Sequence, residues 1–355
     1  MSSMLRAAAA RRIGVHPEPD SGSGGVHMRV VVVGAGIVGL SAAYALRGTG
    51  ATVRCVDAGE PMSGRSAGDT RIFRTAHGDA ALVAEARRAA ELWDEWSFRA
   101  GRTFLGAGGT MVSGPRVPAW AAAMAEAGAV HRVVRGVLHD AAGGVLDLAG
   151  AGAFLREAVG PERRAVEAVT ADGTVRYADG GSDAADAVVV AAGIGTPALA
   201  APLGIDVPDA LEHHARFAFD GPADGPCHLD GRPDGPLAST YQHRTSSGHW
   251  AVGGHLPDED TAWELGADEV ARRSREAVVD HVRRHLPRLD PRPVAELRCV
   301  SGRGLGDGVH RARSGVVHAV WGDNLAKLAP RIGEVLAADV SGDTPVAAGG
   351  RDHGP

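Results

Sequence analysis

The chain has 355 residues, of which 44% are apolar and 23% charged, and its formal net charge is −6. This composition can bury the cores of about two domains and excludes a wholly disordered chain. The acidic balance and the lack of a polybasic segment exclude nucleic acid and a membrane surface as partners. No apolar run is long enough to span a bilayer and no hydrophobic signal core is recognisable, so we predict a cytoplasmic protein.

Two residue types, cysteine and lysine, are scarce. The three cysteines, Cys55, Cys227 and Cys299, are too few and too scattered for a disulfide framework or a zinc site, so no metal is predicted. Lys327 is the only lysine, whereas the other 36 basic residues are arginines. A single lysine retained in an arginine-rich chain suggests a role specific to its position.

The first third of the chain predicts a βαβ unit after a leader. Residues 1–28 are rich in Ala, Arg, Pro, Gly and Ser without a period that would bury a face, which predicts a disordered leader. A β-branched strand over 29–33, a Gly-rich turn, a helix through about residue 47 and a strand over 52–57 follow. Apolar residues recur near a period of 3.6 over 80–100, which predicts a further helix, and turn-rich sequence comes after it.

The rest of the chain is predicted to form a second domain and to complete the first one. A hairpin is predicted over 164–178 with Asp172 and Gly173 at its turn, and an apolar strand over 187–192 ends at Gly193. Residues 211–255 predict antiparallel strands of a second domain, and 266–287 predict an amphipathic helix. A last strand over 316–320 and a helix over 330–340 make the first domain discontinuous.

The turn after the first strand carries a dinucleotide-binding pattern. Gly34 permits a tight turn, Gly36 lets the backbone approach a pyrophosphate, and Gly39 lets the helix pack on the strand. The helix N-terminus at Ile37 and Val38 then faces the phosphates. The pattern predicts a bound dinucleotide and leaves open whether a nicotinamide or a flavin is bound.

An acidic residue follows at the expected place. Asp57 ends the second strand, where its carboxylate can accept hydrogen bonds from ribose hydroxyls. The same carboxylate would repel a 2′-phosphate, which disfavours NADP.

Four segments carry a resemblance to a known family. The segment GDTRIFRTAHG, residues 68–78, resembles the flavin-contacting segment of monomeric sarcosine oxidases and related amine oxidases of the D-amino-acid oxidase superfamily. Three later segments agree in order: AVVVAAG at 187–193 is similar to the strand that returns to FAD, Arg298-Cys299 to the flavin-bearing cysteine segment, and KLAPRIGEVL at 327–336 to the closing loop and helix. Together with the Gly-rich turn, the resemblance covers residues 29 to 340.

The resemblance implies FAD and a set of cofactor contacts. It places Arg71 beside the isoalloxazine ring, Thr70, Gly193 and Gly322 against the cofactor, and Cys299 in a thioether to the flavin. A cation beside the ring would stabilise the negative charge that forms when hydride arrives. Arg298 could help to keep the thiolate form of the neighbouring cysteine available.

The resemblance also implies a substrate site. It places Arg74 and Lys327 on a substrate carboxylate and His255 in the active site. Paired cationic side chains would fix a carboxylate so that the adjacent carbon faces the flavin. Simpler interpretations stay open. Arg71 and Arg74 could form a solvated helical face, Cys299 could be an inert buried thiol, and His255 could be a core or surface histidine.

One departure from the family concerns oxygen. The flavin-facing lysine that the family uses toward oxygen should fall near Ala251, where this chain has none. The electron acceptor is therefore either oxygen or another acceptor.

These features predict an α/β fold in which a Rossmann-type FAD-binding domain lies beside an antiparallel-sheet substrate domain, with the active site between them. The predicted FAD-binding domain comprises residues 29–80, 160–205 and 296–345, and the substrate domain comprises 81–159 and 206–295.

The predicted function is FAD-dependent oxidation of an amine-bearing carboxylic acid, a secondary or cyclic amino acid, by hydride transfer to flavin N5 with an imine as product. The partners are then a small amine or amino acid and an electron acceptor. Two alternatives stay open: a catalytically silent flavin-binding scaffold and a nicotinamide-dependent dehydrogenase.

Overall fold

The computed structural model describes residues 27–222 and 224–342. Residues 1–26 of the predicted leader lie outside the described residues. The strands of the first half are β1 (Arg29–Val33), β2 (Thr52–Asp57), β3 (Thr70–Phe73), β4 (Thr110–Ser113), β5 (Arg132–Val134), β6 (Val137–Asp140), β7 (Gly144–Asp147), β8 (Glu162–Arg163), β9 (Val166–Val169) and β10 (Thr174–Tyr177). Those of the second half are β11 (Ser182–Ala184), β12 (Ala187–Val190), β13 (Leu211–Phe219), β14 (Cys227–Asp230), β15 (Ser239–Arg244), β16 (Trp250–His255), β17 (Pro293–Gly302), β18 (Gly308–Ser314) and β19 (Val317–Asp323).

The α-helices are α1 (Ile37–Gly48), α2 (Ala80–Ala100), α3 (Val117–Glu126), α4 (Leu148–Val159), α5 (Thr196–Ala200), α6 (Asp258–Thr261), α7 (Ala267–His285) and α8 (Ala329–Ser341). Short 3₁₀ turns cover Gly193–Gly195, Ala201–Leu203, Trp263–Leu265 and Leu325–Leu328.

A six-stranded sheet in the order β18-β19-β12-β1-β2-β8 carries the Gly-rich turn. Its strands are parallel apart from the antiparallel pair β18 and β19. β1 lies in the interior, where Val32 is opposite Val189 on one side and Cys55 on the other. Both faces of the sheet are covered, which explains why β1 and β12 are continuous apolar runs.

The two faces of this sheet carry different layers. Val30 and Val32 pack with α1, α2, α4 and α8 on one face. Val31 and Val33 pack on the other face with α5 and with the three-stranded sheet β11-β10-β9. The cofactor-binding turn at the end of β1 is therefore held by a three-layer core.

A second, eight-stranded sheet has the order β17-β13-β16-β15-β14-β4-β6-β5 and is antiparallel apart from the pair β14 and β4. Phe217, Phe219 and Val252 lie on one face of it and pack against Val278 and Val282 of α7. Because side chains alternate along a strand, the even-numbered residues of β13 and the odd-numbered residues of β15, β16 and β17 lie on the opposite face, which we call the cleft face. That alternation separates an apolar core from a polar surface.

The α/β fold with a parallel and an antiparallel sheet is confirmed, whereas the boundaries differ from the predicted division in two places. β17 pairs with β13 along its whole length, so residues 293–302 belong to the antiparallel sheet and not to the first domain. Helices α2 and α4 bury Trp93 and Leu155 in the core of the parallel sheet, although 81–159 was predicted to belong to the substrate domain. The reason is that their apolar faces complete the layer formed by α1 and α8.

Candidate active site

Two of the three glycines of the Gly-rich turn pack directly against the backbone. A Cβ on Gly34, whose φ is +107°, would lie 2.3 Å from the carbonyl oxygen of Ala191, and a Cβ on Gly39 would lie 1.9 Å from that of Gly34. A Cβ on Gly36 would meet only the Ser66 side chain, at 3.1 Å. The backbone is thus open at Gly36, where a pyrophosphate would approach.

The polar groups at the turn fit a dinucleotide. The N–H of Ile37, at the start of α1, donates to Ser66 Oγ over 3.0 Å, so this helix end already holds an oxygen atom. Asp57 accepts from the N–H groups of Ala35 at 2.6 Å and Gly59 at 2.8 Å. Each of its carboxylate oxygens retains acceptor capacity that ribose hydroxyls can use.

The other predicted cofactor residues surround this turn or approach it. Val38 follows Ile37 in the first turn of α1, and Gly193 begins the 3₁₀ turn after β12. The carbonyl of Gly322 in β19 accepts from Arg65 at 2.9 Å, which ties β19 to the loop that carries Ser66. Thr70 is 2% exposed at the start of β3.

Two residues distant in sequence, Arg74 and Lys327, meet on one carboxylate. Lys327 Nζ donates to Asp307 Oδ1 over 2.7 Å, and the Arg74 guanidinium donates to Asp307 Oδ2. Only 7% of Arg74 and 3% of Lys327 is exposed. We call Arg74 and Lys327 the carboxylate clamp, because their cationic groups converge on one bound carboxylate.

Local structure positions both cations of the clamp. The buried carboxylate of Asp140 accepts from the N–H groups of Thr75 at 2.6 Å and Ala76 at 3.0 Å, which fixes the chain just after Arg74. The guanidinium of Arg74 lies 5.1 Å from the ring centroid of Trp120, a cation–π contact.

Lys327 lies in the 3₁₀ turn before α8, and its carbonyl accepts from Trp93 Nε1 at 3.0 Å. The turn is thereby fixed to α2.

The pKa values of Lys327, Asp307 and His77 are shifted at the clamp. Burial and then Arg74 lower the pKa of Lys327 to about 8, although Asp307 opposes the shift. Burial alone would raise the pKa of Asp307, but Arg74 and Lys327 hold it well below its usual range. Burial and then Arg74 lower the pKa of His77 to about 2, and its buried Nε2 has no hydrogen-bond partner among the described residues. The site therefore holds two cations, one carboxylate and a neutral imidazole at pH 7.

The cleft face of the antiparallel sheet contributes a second group of polar side chains. Cys299 lies opposite His214, and Arg216 lies opposite both Leu297 and Gly253. A Cβ on Gly253 would come 2.2 Å from the Tyr241 ring, so glycine is required where that ring crosses β16.

Arg71 meets this face. Its guanidinium donates to the carbonyls of Ala67 at 2.6 Å and Thr70 at 2.9 Å. Burial and then the neighbouring Arg216 lower its pKa, whereas Cys299 opposes the shift. Arg71, Arg216 and Cys299 are therefore neighbours, and the structure excludes a solvated face for Arg71 and Arg74.

His255 also lies on the cleft face. Its Nδ1 is 2.9 Å from Ser239 Oγ, and its ring makes an edge contact with His214 and a tilted contact with Tyr241 at centroid distances of 5.8 and 5.6 Å. Surrounding protein atoms, and then His214, lower the pKa of His255 to about 4, while the ring retains contact with solvent. Asp307 is close enough to oppose that shift, which connects His255 with the clamp.

One expected contact is wrong. Arg298 donates to Glu296 at 2.7 Å and to Asp268 of α7 at 2.5 Å, so it lies on the α7 face of β17 and not beside the Cys299 thiol. Adjacent residues of a strand point to opposite faces. The arginines near Cys299 are Arg71 and Arg216.

Sequence reasoning missed several residues of the site. Asp307 was not singled out, although its place between Gly306 and Gly308 is a typical loop signal. Arg216 donates to the carbonyl of Thr70 at 2.8 Å and is 8% exposed. His243 is fully buried beside Thr70 Oγ1, and burial and then Arg216 lower its pKa to about 3. The alternation of polar and apolar residues along β13 and β15 was the available signal.

A further cluster of titratable side chains lies at the end of α7. Asp234 accepts from His281 Nδ1 at 2.6 Å and also from Arg284, while His285 Nε2 is 3.3 Å away. Among the residues that the structure describes, this is the group whose spacing could hold a metal ion. Because a guanidinium already pairs with the carboxylate, the cluster is complete as an ion-pair network that joins α7 to the loop before β15.

The fold and the site together define a class of protein. A parallel sheet with a dinucleotide-binding turn, an antiparallel sheet with a polar face and a buried pair of cations are the features expected of a dinucleotide-dependent oxidoreductase. The chain belongs to the DAO family of FAD-dependent oxidoreductases, whose family model matches residues 29–339. FAD is therefore its cofactor, and the resemblance inferred from the sequence is confirmed.

Individual relatives agree with this family. Over 93 residues the chain is 39% identical to monomeric sarcosine oxidase of Bacillus sp. (strain B-0618), a match that spans 25% of this chain and 24% of that protein. Among solved structures it is similar to NikD, described as an unusual amino acid oxidase essential for nikkomycin biosynthesis, with a TM-score of 0.75, 20% identity and coverage of 89% and 94% of the two chains. L-proline dehydrogenase from P. horikoshii is similar with a TM-score of 0.72, 16% identity and coverage of 91% and 95%.

No helix in the described ranges 27–222 and 224–342 is long and apolar enough to cross a membrane.

Proposed function

We propose that this protein oxidises the carbon–nitrogen bond of an amine-bearing carboxylic acid, a secondary or cyclic amino acid, with an imine as product. Bound FAD supplies the acceptor, at N5, for the hydride that leaves the carbon next to nitrogen. The names of two similar proteins, a sarcosine oxidase and an L-proline dehydrogenase, support a secondary amine as the substrate class.

The convergence of Arg74 and Lys327 carries this proposal. These residues are far apart in sequence, yet each donates to one oxygen of the Asp307 carboxylate. Buried cations are costly unless they bind a partner of opposite charge, so such a pair indicates an anion-binding function. A substrate carboxylate held there would have its amine directed into the cleft.

The remaining residues receive roles consistent with their positions. Arg71 and Arg216 place two positive charges on the cleft side of the antiparallel sheet, where they favour negative charge on a bound flavin. Gly34, Gly36, Gly39, Ile37, Val38 and Asp57 would hold the pyrophosphate and ribose, with Thr70, Gly193 and Gly322 nearby, and Cys299 would bond covalently to the flavin.

Proton transfer from the amine does not require a strong base in the cleft. With pKa values lowered to about 4, 3 and 2, His255, His243 and His77 are neutral at pH 7 and are weak proton acceptors. A substrate ammonium would therefore lose its proton to water before oxidation, and the neutral imidazoles add no charge that repels it.

The test is anaerobic flavin reduction by paired compounds that differ only in the carboxylate. Sarcosine and L-proline should bleach the flavin, whereas dimethylamine and pyrrolidine, which lack the carboxylate, should do so far more slowly. Lys327→Met should weaken carboxylate binding by about thirty-fold to several hundred-fold, because a charge-assisted contact in a buried site is lost. Flavin content should stay unchanged, since the Gly-rich turn holds the cofactor elsewhere.

Lys327→Arg is the matched control. It keeps the charge but should rescue poorly, because a planar guanidinium needs a different approach from a compact ammonium. Equal reduction rates with and without the carboxylate would contradict the proposal. A flavin that no amine reduces would favour the catalytically silent scaffold.

A further inference from the structure

Asp307 occupies the clamp in the manner of a ligand. Its Oδ1 accepts from Lys327 at 2.7 Å and its Oδ2 accepts from Arg74, so each cation has one carboxylate oxygen. His77 Nδ1 lies 3.8 Å from Oδ2 and completes the surroundings. A free carboxylate bound to the same two cations would need the same two positions.

The burial of the three side chains differs. The side chains of Lys327 and Arg74 are 3% and 9% exposed, whereas that of Asp307 is 26% exposed. The carboxylate is therefore the solvent-side member of the group.

The position of Asp307 favours a local movement of its side chain. The residue lies in the loop segment 303–307 between β17 and β18, and 26% of its side chain is exposed. Its backbone is anchored by a bridge to Asp323. Rotation of one short side chain is then sufficient, and the backbone need not refold.

We propose that Asp307 is an internal competitor of the substrate carboxylate and that it sets the affinity and selectivity of the clamp. This inference rests on the proposed function. A carboxylate ligand binds only when Asp307 has left, so its apparent affinity is reduced by the fraction of molecules in which the clamp is free. A simple monocarboxylate then binds weakly, whereas an amino acid, which gains further contacts through its amine, displaces Asp307.

The experiment measures acetate binding to the holoenzyme at pH 6.5, where Lys327 is protonated, by perturbation of the visible flavin spectrum. Asp307→Asn and Asp307→Ala should each bind acetate roughly tenfold or more tightly than the wild type, because the competitor is gone. Lys327→Met should weaken acetate binding, and Asp307→Asn combined with Lys327→Met should bind no more tightly than Lys327→Met alone.

Asp183→Asn is the matched control. This residue is also an Asp, its side chain is 27% exposed, and it lies in the three-stranded sheet and pairs with Arg54 instead of the clamp. Its removal should not tighten acetate binding. In steady-state assays with an amino-acid substrate, Asp307→Asn should lower KM by a larger factor than it changes kcat, a split that a purely structural role would not produce.

Three results would overturn the inference: unchanged or weaker acetate binding in both Asp307 variants, equal tightening in Asp183→Asn, or failure of both Asp307 variants to fold and retain FAD even in saturating acetate. The last counts because a carboxylate that displaces Asp307 should also replace it as the partner of the two buried cations. If Lys327→Met leaves acetate binding unchanged, the clamp itself is wrong and the proposed function fails with it. If Lys327→Met weakens acetate binding but Asp307→Asn does not tighten it, the inference about Asp307 is overturned and the proposed function is not.

Discussion

Lys327 connects the composition of the chain with its candidate site. It is the only lysine, and it is almost completely buried beside Arg74. An ammonium is a compact charge whose pKa shifts readily on burial, in contrast to a guanidinium. The clamp therefore combines a permanent cation with one whose charge depends on pH.

That pH dependence is measurable with a ligand that does not itself titrate in the range. Because the pKa of Lys327 is lowered to about 8, its charge is present below pH 8 and is lost as the pH rises above it. Acetate binding should be constant from pH 6 to 7.5 and weaken by up to about tenfold per pH unit above 8. In Lys327→Arg the binding, even if weaker, should not change over this range. Constant wild-type binding up to pH 10 would show that Lys327 does not contact the ligand.

Cys299 gives a second prediction at the scale of one residue. The thiol is partly exposed on the cleft face, near Arg71. We expect acid precipitation to leave the yellow colour with the protein and Cys299→Ser to release it into the supernatant. The buried Cys227→Ser serves as the control and should retain the colour. Complete release from the wild type would make FAD noncovalent and Cys299 structural.

At the scale of elements, the β1–α1 turn combines two separate requirements. Gly34 and Gly39 allow the backbone to pack on itself, whereas Gly36 leaves space that opens toward the Ser66 side chain. Substitutions should therefore separate folding from cofactor binding.

We predict that Gly36→Ala keeps the fold and loses FAD. The added methyl group would meet only Ser66 Oγ, which can rotate away, but it would occupy the approach to the pyrophosphate. Gly39→Ala should prevent stable folding, because its methyl group would lie 1.9 Å from a backbone oxygen. Gly48→Ala, at the end of the same helix with nothing within 4 Å, is the control and should retain both Tm and flavin content. Full FAD content in Gly36→Ala would contradict the assignment of the turn.

The elements also show which parts of the fold are predictable. The bounds predicted for β1, β2 and α2 agree with the structure, because these segments have clear apolar periods and, in α2, an Asp79 cap. Helix α4 was missed because Gly150 and Gly152 lower its local helix propensity. A Cβ on Gly152 would come 2.8 Å from Met62, so tertiary packing favours a residue that local propensity does not.

The candidate site was predictable to a similar extent. Arg71, Arg74 and Lys327 belong to segments with a family resemblance, and the structure brings Arg74 and Lys327 to one carboxylate. Asp307 and Arg216 depend on strand register and loop conformation, which one sequence does not specify. The wrong placement of Arg298 has the same origin, since the face of β17 is fixed only by its pairing with β13.

At the scale of the whole molecule, the charge of the cleft is opposite to that of the chain. The formal net charge is −6, yet the interior around the cleft holds Arg71, Arg74, Arg216 and Lys327 against the carboxylates of Asp69 and Asp307. The surplus of positive charge suits a site that receives a substrate carboxylate and places negative charge on a flavin.

The buried histidines predict how stability depends on pH. Neutral His77 and His243 have pKa values lowered to about 2 and 3, so the unfolded chain takes up protons below pH 6.5 that the folded chain does not. The free energy of unfolding should therefore fall as pH decreases from 6.5 to 4, by about 1.4 kcal/mol per pH unit for each histidine. In chemical denaturation with saturating FAD, the free energy of unfolding of His243→Gln should fall less steeply with decreasing pH than that of the wild type. The exposed His27→Gln is the control, and an equal slope in all three proteins would contradict the account.

The visible spectrum of the purified protein during anaerobic titration with sarcosine and L-proline tests the central claim most directly. We predict that at least one of these amino acids bleaches the flavin bands of the wild type. The same concentration should bleach the flavin bands of Lys327→Met far less, although the two proteins contain equal amounts of flavin. Bands that neither amino acid bleaches, or equal bleaching in the variant, would contradict the assignment of Arg74 and Lys327 as the carboxylate clamp of an FAD-dependent amine oxidation.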